Sequence, residues 1–371
     1  MPARTTLPES DHLAGAPGFV VRRPLRILAW LSFLTEVIII GTGGAVRLTG
    51  SGLGCSDWPL CTPESLVPLP EQGIHGLIEF GNRTMTGVVG IVAVAVVLLT
   101  LHAIAGRPAV MRALVFAGGG ILLAIPVYAL AAALDLPAFG FASGALLVAV
   151  IAAAIDAGRR LPARRDLSAL AWIVLAGVMA QAVVGGFAVL TDLNPFLVGF
   201  HYTCSLLLVC VAAAYLVRLD ATEGLRERVV PLWFQIGAHT TGLVLAVTIL
   251  FGVLTTGSGP HSGDANVIRD GFDATVLAHV HAWPGYVLAA LVLALTVSAW
   301  VLRLEPRRWL LVLALAIAVQ VAVGVWQARE GLPELLVGIH MVLASLSAAA
   351  YTVVVLRLKR AVGHDASSAH A

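Results

Sequence analysis

Apolar residues in this chain do not alternate as in a half-buried strand, nor do they keep to one stripe as on a surface helix. They fall in runs of about 20 residues, the length that crosses the hydrocarbon of a bilayer as a helix. Such runs lie near 27–46, 84–105, 112–133, 138–157, 168–190, 197–217, 232–254, 275–300, 309–328 and 335–356. The pattern predicts an all-α polytopic membrane protein with ten spans. The third and fourth runs are separated only by the short break around Asp135 and Pro137.

Composition agrees. Hydrophobic residues make up 59% of the 371 positions and charged residues 12%, with a mean hydropathy of +0.93. A soluble domain carries about twice that charged fraction. The net charge of +2 is too small for a nucleic-acid partner. Basic residues concentrate in alternate connections. With both termini in the cytoplasm, 19 of the 23 fall on the inner side, leaving only Arg47, Arg83, Arg269 and Arg329 outside. Inner loops rich in lysine and arginine fix orientation in a plasma membrane, here of bacterial type. The tail to about Pro24 reads as disordered. The first run reads as an uncleaved anchor, since no small-residue cleavage site follows it.

The runs repeat. QAVVGG from Gln181, followed by LNPFLVGFH ending at His201, returns 139 residues later as QVAVGV from Gln320 and LPELLVGIH ending at His340. TGSG from Thr49 is echoed by TGSG from Thr256, each expected just outside an outward-running helix. A tandem duplication follows, with two four-helix bundles related by a pseudo-two-fold axis along the membrane normal. Two extra spans, about 108–163, are inserted in the first half. The expected organisation is a cytoplasmic tail 1–26, an N-terminal bundle 27–217, a linker 218–231, a C-terminal bundle 232–358 and a second tail 359–371.

Polar residues inside or beside the runs are costly in a membrane and therefore candidates for function. His201 and His340 are repeat partners. His281 is matched in the first half by Asn82. All four lie near the outer boundary, where imidazoles from two helices suit the axial coordination of a haem. His279 competes with His281, but two residues along a helix the pair point to roughly opposite faces. His75, His239 and His261 have no repeat partner and read as interfacial. Glu79 is either a solvated residue capped by Arg83 or a site acid. Gln181 and Gln320 read as interhelical hydrogen-bond glue rather than site residues, and Cys204 and Cys210 as small core residues. Cys55 and Cys61 share the first outer loop. The oxidising compartment favours a disulfide staple over free thiols or a redox relay.

Taken in order, these segments resemble the haem A synthases, which oxidise the C8 methyl of haem O to the formyl of haem A. The stretches are TGGAVRLTGSG from Thr42, CSDWPLC from Cys55, IEFGNR from Ile78, VLTDLNP from Val189 with His201, TGSGPHSGD from Thr256 and GLPELLVGIH ending at His340. The resemblance implies a resident haem b held by His281 and His340. It also implies a substrate haem in the N-terminal half, bound by His201 and Arg83, with Asn82 standing where the family has a second histidine. Glu79 would be the catalytic acid and Cys55–Cys61 a disulfide. Expected partners are haem O, haem O synthase, an electron acceptor and the bilayer. The insertion departs from the family's usual eight spans. Two other readings remain, a two-haem b-type transmembrane electron carrier and a transporter with parallel repeats.

Overall fold

A computed structural model describes residues 21–264, 267–269 and 271–361. The tails expected beyond those limits lie outside the described residues. The chain forms α1 (Arg23–Leu48), α2 (Gly73–Ala133), α3 (Ala138–Arg160), α4 (Arg165–Leu190), α5 (Pro195–Leu219), α6 (Leu232–Ser258), α7 (Ala274–Val301), α8 (Arg307–Arg329) and α9 (Glu334–Leu356). Among the described residues all nine helices are long and apolar enough to cross a membrane, and the protein is a multi-pass membrane protein. The 61-residue α2 is not one rod. Gly106 leaves helical geometry at φ 68° and ψ −161°, two residues before Pro108. The result is two limbs, 73–105 and 107–133, each long enough to span.

Ends are set by local chemistry. Pro24 opens α1 and Pro195 opens α5, where a missing N–H costs nothing. Asn194 caps α5 through its side-chain oxygen, and Asp273 caps α7 in the same way. The connections α4–α5 and α8–α9 share one backbone solution. Asp192 and Leu193 are left-handed, as are Gly331 and Leu332, and the amides of Leu193 and Leu332 bond back to Ala188 and Gln327 at 2.8 Å. Every one of these pairs is offset by 139 residues.

Two separate apolar cores occupy one end of the molecule, the end with the arginine-rich turns. One joins Leu25, Val97, Leu101, Leu167, Trp172, Leu175 and Leu219 of α1, α2, α4 and α5. The other joins Phe234, Leu245, Val292, Leu310, Leu313 and Val354 of α6 to α9. Between them Ile40, Leu206, Val209 and Ala349 seat α1 and α5 on α9. The second limb of α2 and α3 flank the first core, to which they add Ala113 and Ala153. Only Ala153 of α3 is buried. At the opposite end, Arg47 donates to the carbonyls of His261 and Thr256, and Gly52 N–H donates to Gly263, so the first and second TGSG regions meet.

Two expectations need correction, and one element was not anticipated. The second helix begins at Gly73, about a turn and a half before Glu79 and well before residue 84, because backbone bonding carries it past the apolar run. The second TGSG is not outside its helix, since α6 continues to Ser258. The arginine-rich end is not wholly helical either. Arg226–Arg228 (β1) pairs antiparallel with Lys359–Ala361 (β2), tying the linker between the halves to the chain after α9.

Candidate functional site

Where the cores stop, the half of the molecule nearer the disulfide encloses a cavity of about 630 Å3. That volume lies within the range of small-molecule and cofactor pockets. Its walls include His201, His281, His340, Asn82, Glu79 and Arg83. The three histidines and Asn82 stand at the seventh, eighth, seventh and tenth residues of α5, α7, α9 and α2.

His281 and His340 face each other across the C-terminal helices. Their ring centres are 6.2 Å apart and the planes cross at 80°. Two metal–imidazole bonds of about 2 Å each, together with the ring radii, require a spacing on the order of 6 Å. The Nδ1 of His281 is 2.9 Å from the carbonyl of Thr248. A ring nitrogen that donates to a backbone carbonyl leaves Nε2 with its lone pair for a metal. His279 points away, exposed, its Nδ1 on the carbonyl of Thr275.

Each histidine lies against a glycine of the neighbouring helix. A Cβ on Gly252 would stand 2.9 Å from Cε1 of His281, one on Gly324 2.9 Å from Cε1 of His340, and one on Gly185 3.3 Å from Cε1 of His201. The fourth position follows the same plan with different chemistry, since a Cβ on Gly43 would stand 3.8 Å from Oδ1 of Asn82. That oxygen accepts a hydrogen bond from Thr42 at 2.7 Å. The histidine helices are held by matched glutamines. Gln181 donates to the carbonyl of His201 at 2.6 Å, and Gln320 to that of His340 at 3.1 Å. Nδ1 of His201 is buried without a hydrogen bond.

The first loop forms part of the cavity wall through Gly52, Trp58, Pro59 and Leu66. Cys55 and Cys61 are disulfide-bonded and fully buried. Glu79 is 4% exposed, not solvated. One of its oxygens accepts from the Cys55 amide at 2.6 Å and the other pairs with Arg83 at 2.5 Å. Arg83 in turn donates to the carbonyls of Cys55, Asp57 and Leu60. Trp58 of this loop lines the cavity and packs on Gly186, where a Cβ would overlap the indole. His75 is bonded to Ser51, His239 is exposed, and His261 reaches the carbonyl of Leu332 at 2.8 Å.

The sequence reading passed over Glu36. It is the fourteenth residue of α1, 2% exposed and part of the cavity wall. Its signal was plain, a carboxylate within the apolar stretch LTEVIII, but it has no repeat partner to draw the eye.

Residues 26–125 match the family described as cytochrome oxidase assembly protein, COX15-CtaA. Over those residues the chain is similar to the COX15-CtaA family. The match takes in α1, the disulfide loop, Glu79, Asn82 and Arg83, while the three cavity histidines lie beyond it. The chain is 40% identical over 88 residues to a protein of Exiguobacterium sibiricum named heme A synthase, covering 24% of this chain and 29% of that relative. It is 37% identical over 76 residues to the heme A synthase of Bacillus pumilus, 20% of this chain and 24% of the relative. A protein of Thermus thermophilus named protoheme IX farnesyltransferase is 37% identical over 83 residues, 22% of this chain and 13% of its own length. The matches thus span less than a third of the relatives' lengths. The part that matches the family model carries the disulfide-bearing wall of the cavity.

Proposed function

We propose that this protein is a haem A synthase, oxidising the C8 methyl of haem O to a formyl group. The observation that carries this reading is the facing pair His281 and His340 at 6.2 Å, in one cavity with Glu79, Asn82 and His201. The donor set fits a haem. Both rings rest on glycine ledges, and Thr248 leaves Nε2 of His281 available. In this reading the chain crosses the membrane ten times, α2 contributing two spans, with the arginine-rich end in the cytoplasm.

Bound haem b supplies one-electron chemistry that no side chain offers. The residues supply the rest. His281 and His340 would hold the resident haem between them, and a haem so held would serve electron transfer. His201 would hold the substrate in the cavity it shares with Asn82, whose amide oxygen is kept by Thr42. The electrons removed from the methyl would pass to an external electron acceptor, while Glu79 takes up a proton or balances positive charge developing beside it, with Arg83 fixing the carboxylate in place. The Cys55–Cys61 loop and Trp58 exclude water from the mouth. A segment of this kind also occurs in a protein named for farnesyl transfer to protohaem, and farnesylated haem is what this reaction consumes.

The test is expression in a bacterium that makes haem O but no haem A. Extracted haems should then include haem A. Haem O persisting alone, with the protein present in the membrane, overturns the reading.

A further inference from the structure

Glu36 lies within an apolar helix, half-way across it, and nothing in the fold explains it. Its Oε1 is buried with no hydrogen-bond partner, and no ion pair to it occurs among the described residues. Such a group costs several kcal/mol unless something satisfies it.

Its position says what that something is. Glu36 precedes Gly43 by seven residues, two turns, so the two share a face of α1. Gly43 is the ledge under Asn82. Glu36 therefore lines the cavity beneath the Asn82 and His201 site, deeper by on the order of 10 Å. That is about the reach from the centre of a porphyrin to a substituent atom on its rim, plus one hydrogen bond. The other half repeats the design without the acid. Two turns before Gly252, the ledge under His281, stands Leu245, which also lines the cavity. The two halves thus present a carboxyl and an isobutyl group at matched places.

We propose that Glu36 is the specificity residue of the N-terminal half, accepting a hydrogen bond from a hydroxyl on the rim of the bound porphyrin and so selecting haem O over haem B. This rests on the haem-substrate reading above. Haem O carries a hydroxyl on the carbon joining its farnesyl tail to the ring, where haem B carries a vinyl group that offers no donor. A cavity with a buried acceptor rejects the ligand that leaves it unpaired. The resident haem b, which lacks the hydroxyl, occupies the half that has Leu245.

The experiment titrates purified protein, resident haem in place, separately with haem O and haem B and follows the second binding event by absorbance. The native chain should prefer haem O on the order of ten- to a hundredfold. Glu36→Leu should bind both alike and keep the resident spectrum, while Glu36→Gln, a weaker acceptor of the same shape, should fall between. Equal binding of the two haems by the native chain, or an undiminished preference in Glu36→Leu, overturns the proposal and leaves the functional reading standing. Should Glu36→Leu fail to fold, a native preference in Glu36→Gln overturns it instead. If neither haem binds a second time, the functional reading falls and the proposal with it.

Discussion

Glu79 and Arg83 stand one turn apart on α2 and form a 2.5 Å ion pair that ties the disulfide loop to the cavity wall. Two tasks meet in one carboxylate, and two substitutions separate them. Glu79→Gln still accepts from the Cys55 amide, so it should keep the loop, the disulfide and the resident haem while losing haem A production. Glu79→Ala leaves the Arg83 guanidinium with backbone carbonyls but no carboxylate and should destabilise the protein by about 2–3 kcal/mol. Thermal unfolding and haem extraction read the two effects. Normal haem A production by Glu79→Gln would reduce Glu79 to a purely structural clamp.

The C-terminal histidines should give a low-spin b-type spectrum in the purified protein. Either His281→Ala or His340→Ala should abolish it, and His279→Ala should leave it unchanged, because His279 faces outward. Imidazole planes crossed at 80° leave the two iron orbitals that interact with them nearly equal in energy. Electron paramagnetic resonance should therefore show a strongly axial low-spin signal. A signal typical of parallel imidazoles would mean that the rings rotate when haem binds.

The glycine ledges predict a graded series. Gly252→Ala and Gly324→Ala each place a methyl 2.9 Å from a ligand ring that packing prevents from retreating freely. Each should cost about 1–3 kcal/mol and lower resident-haem occupancy. Gly185→Ala, at 3.3 Å from His201, should be milder and spare the resident haem. Equal occupancy across all three variants would show that the rings have room to move.

In the N-terminal half His201 should be the only imidazole ligand of bound haem O, giving a high-spin or water-ligated species beside the low-spin resident group. Asn82→His should convert it to low spin and slow its release. His201→Ala should remove substrate binding and leave the C-terminal haem in place. Two low-spin species in the native chain would mean that another residue replaces the missing histidine. His75, already bonded to Ser51, would have to break that contact to do so.

Breaking the Cys55–Cys61 bond by substituting both cysteines with serine should lower stability by about 2 kcal/mol, as expected for a short closed loop. Peptide mass spectrometry without reductant should find the two cysteines linked in the native chain. Free thiols there would leave the loop held by Glu79, Arg83 and the packing of Trp58 on Gly186.

By itself the sequence determined the helices and the repeat. A bilayer permits few backbone solutions, so a run of about 20 apolar residues specifies its own secondary structure without tertiary help. Copies 139 residues apart exposed the matched positions of His201 and His340, and the period of a helix separated His281 from His279. What the sequence could not show depends on contacts between helices distant in the chain. Residue spacing suggests the Glu79–Arg83 pair but not that Glu79 is buried, because Cys55 reaches it only when the first loop folds over α2. Nor does it reveal the ledges, since a glycine matters there only for the ring that leans on it. Glu36 was visible as a charge in an apolar run. Only the packing of α1 showed that it looks beneath Asn82, while the matching place in the other half holds Leu245.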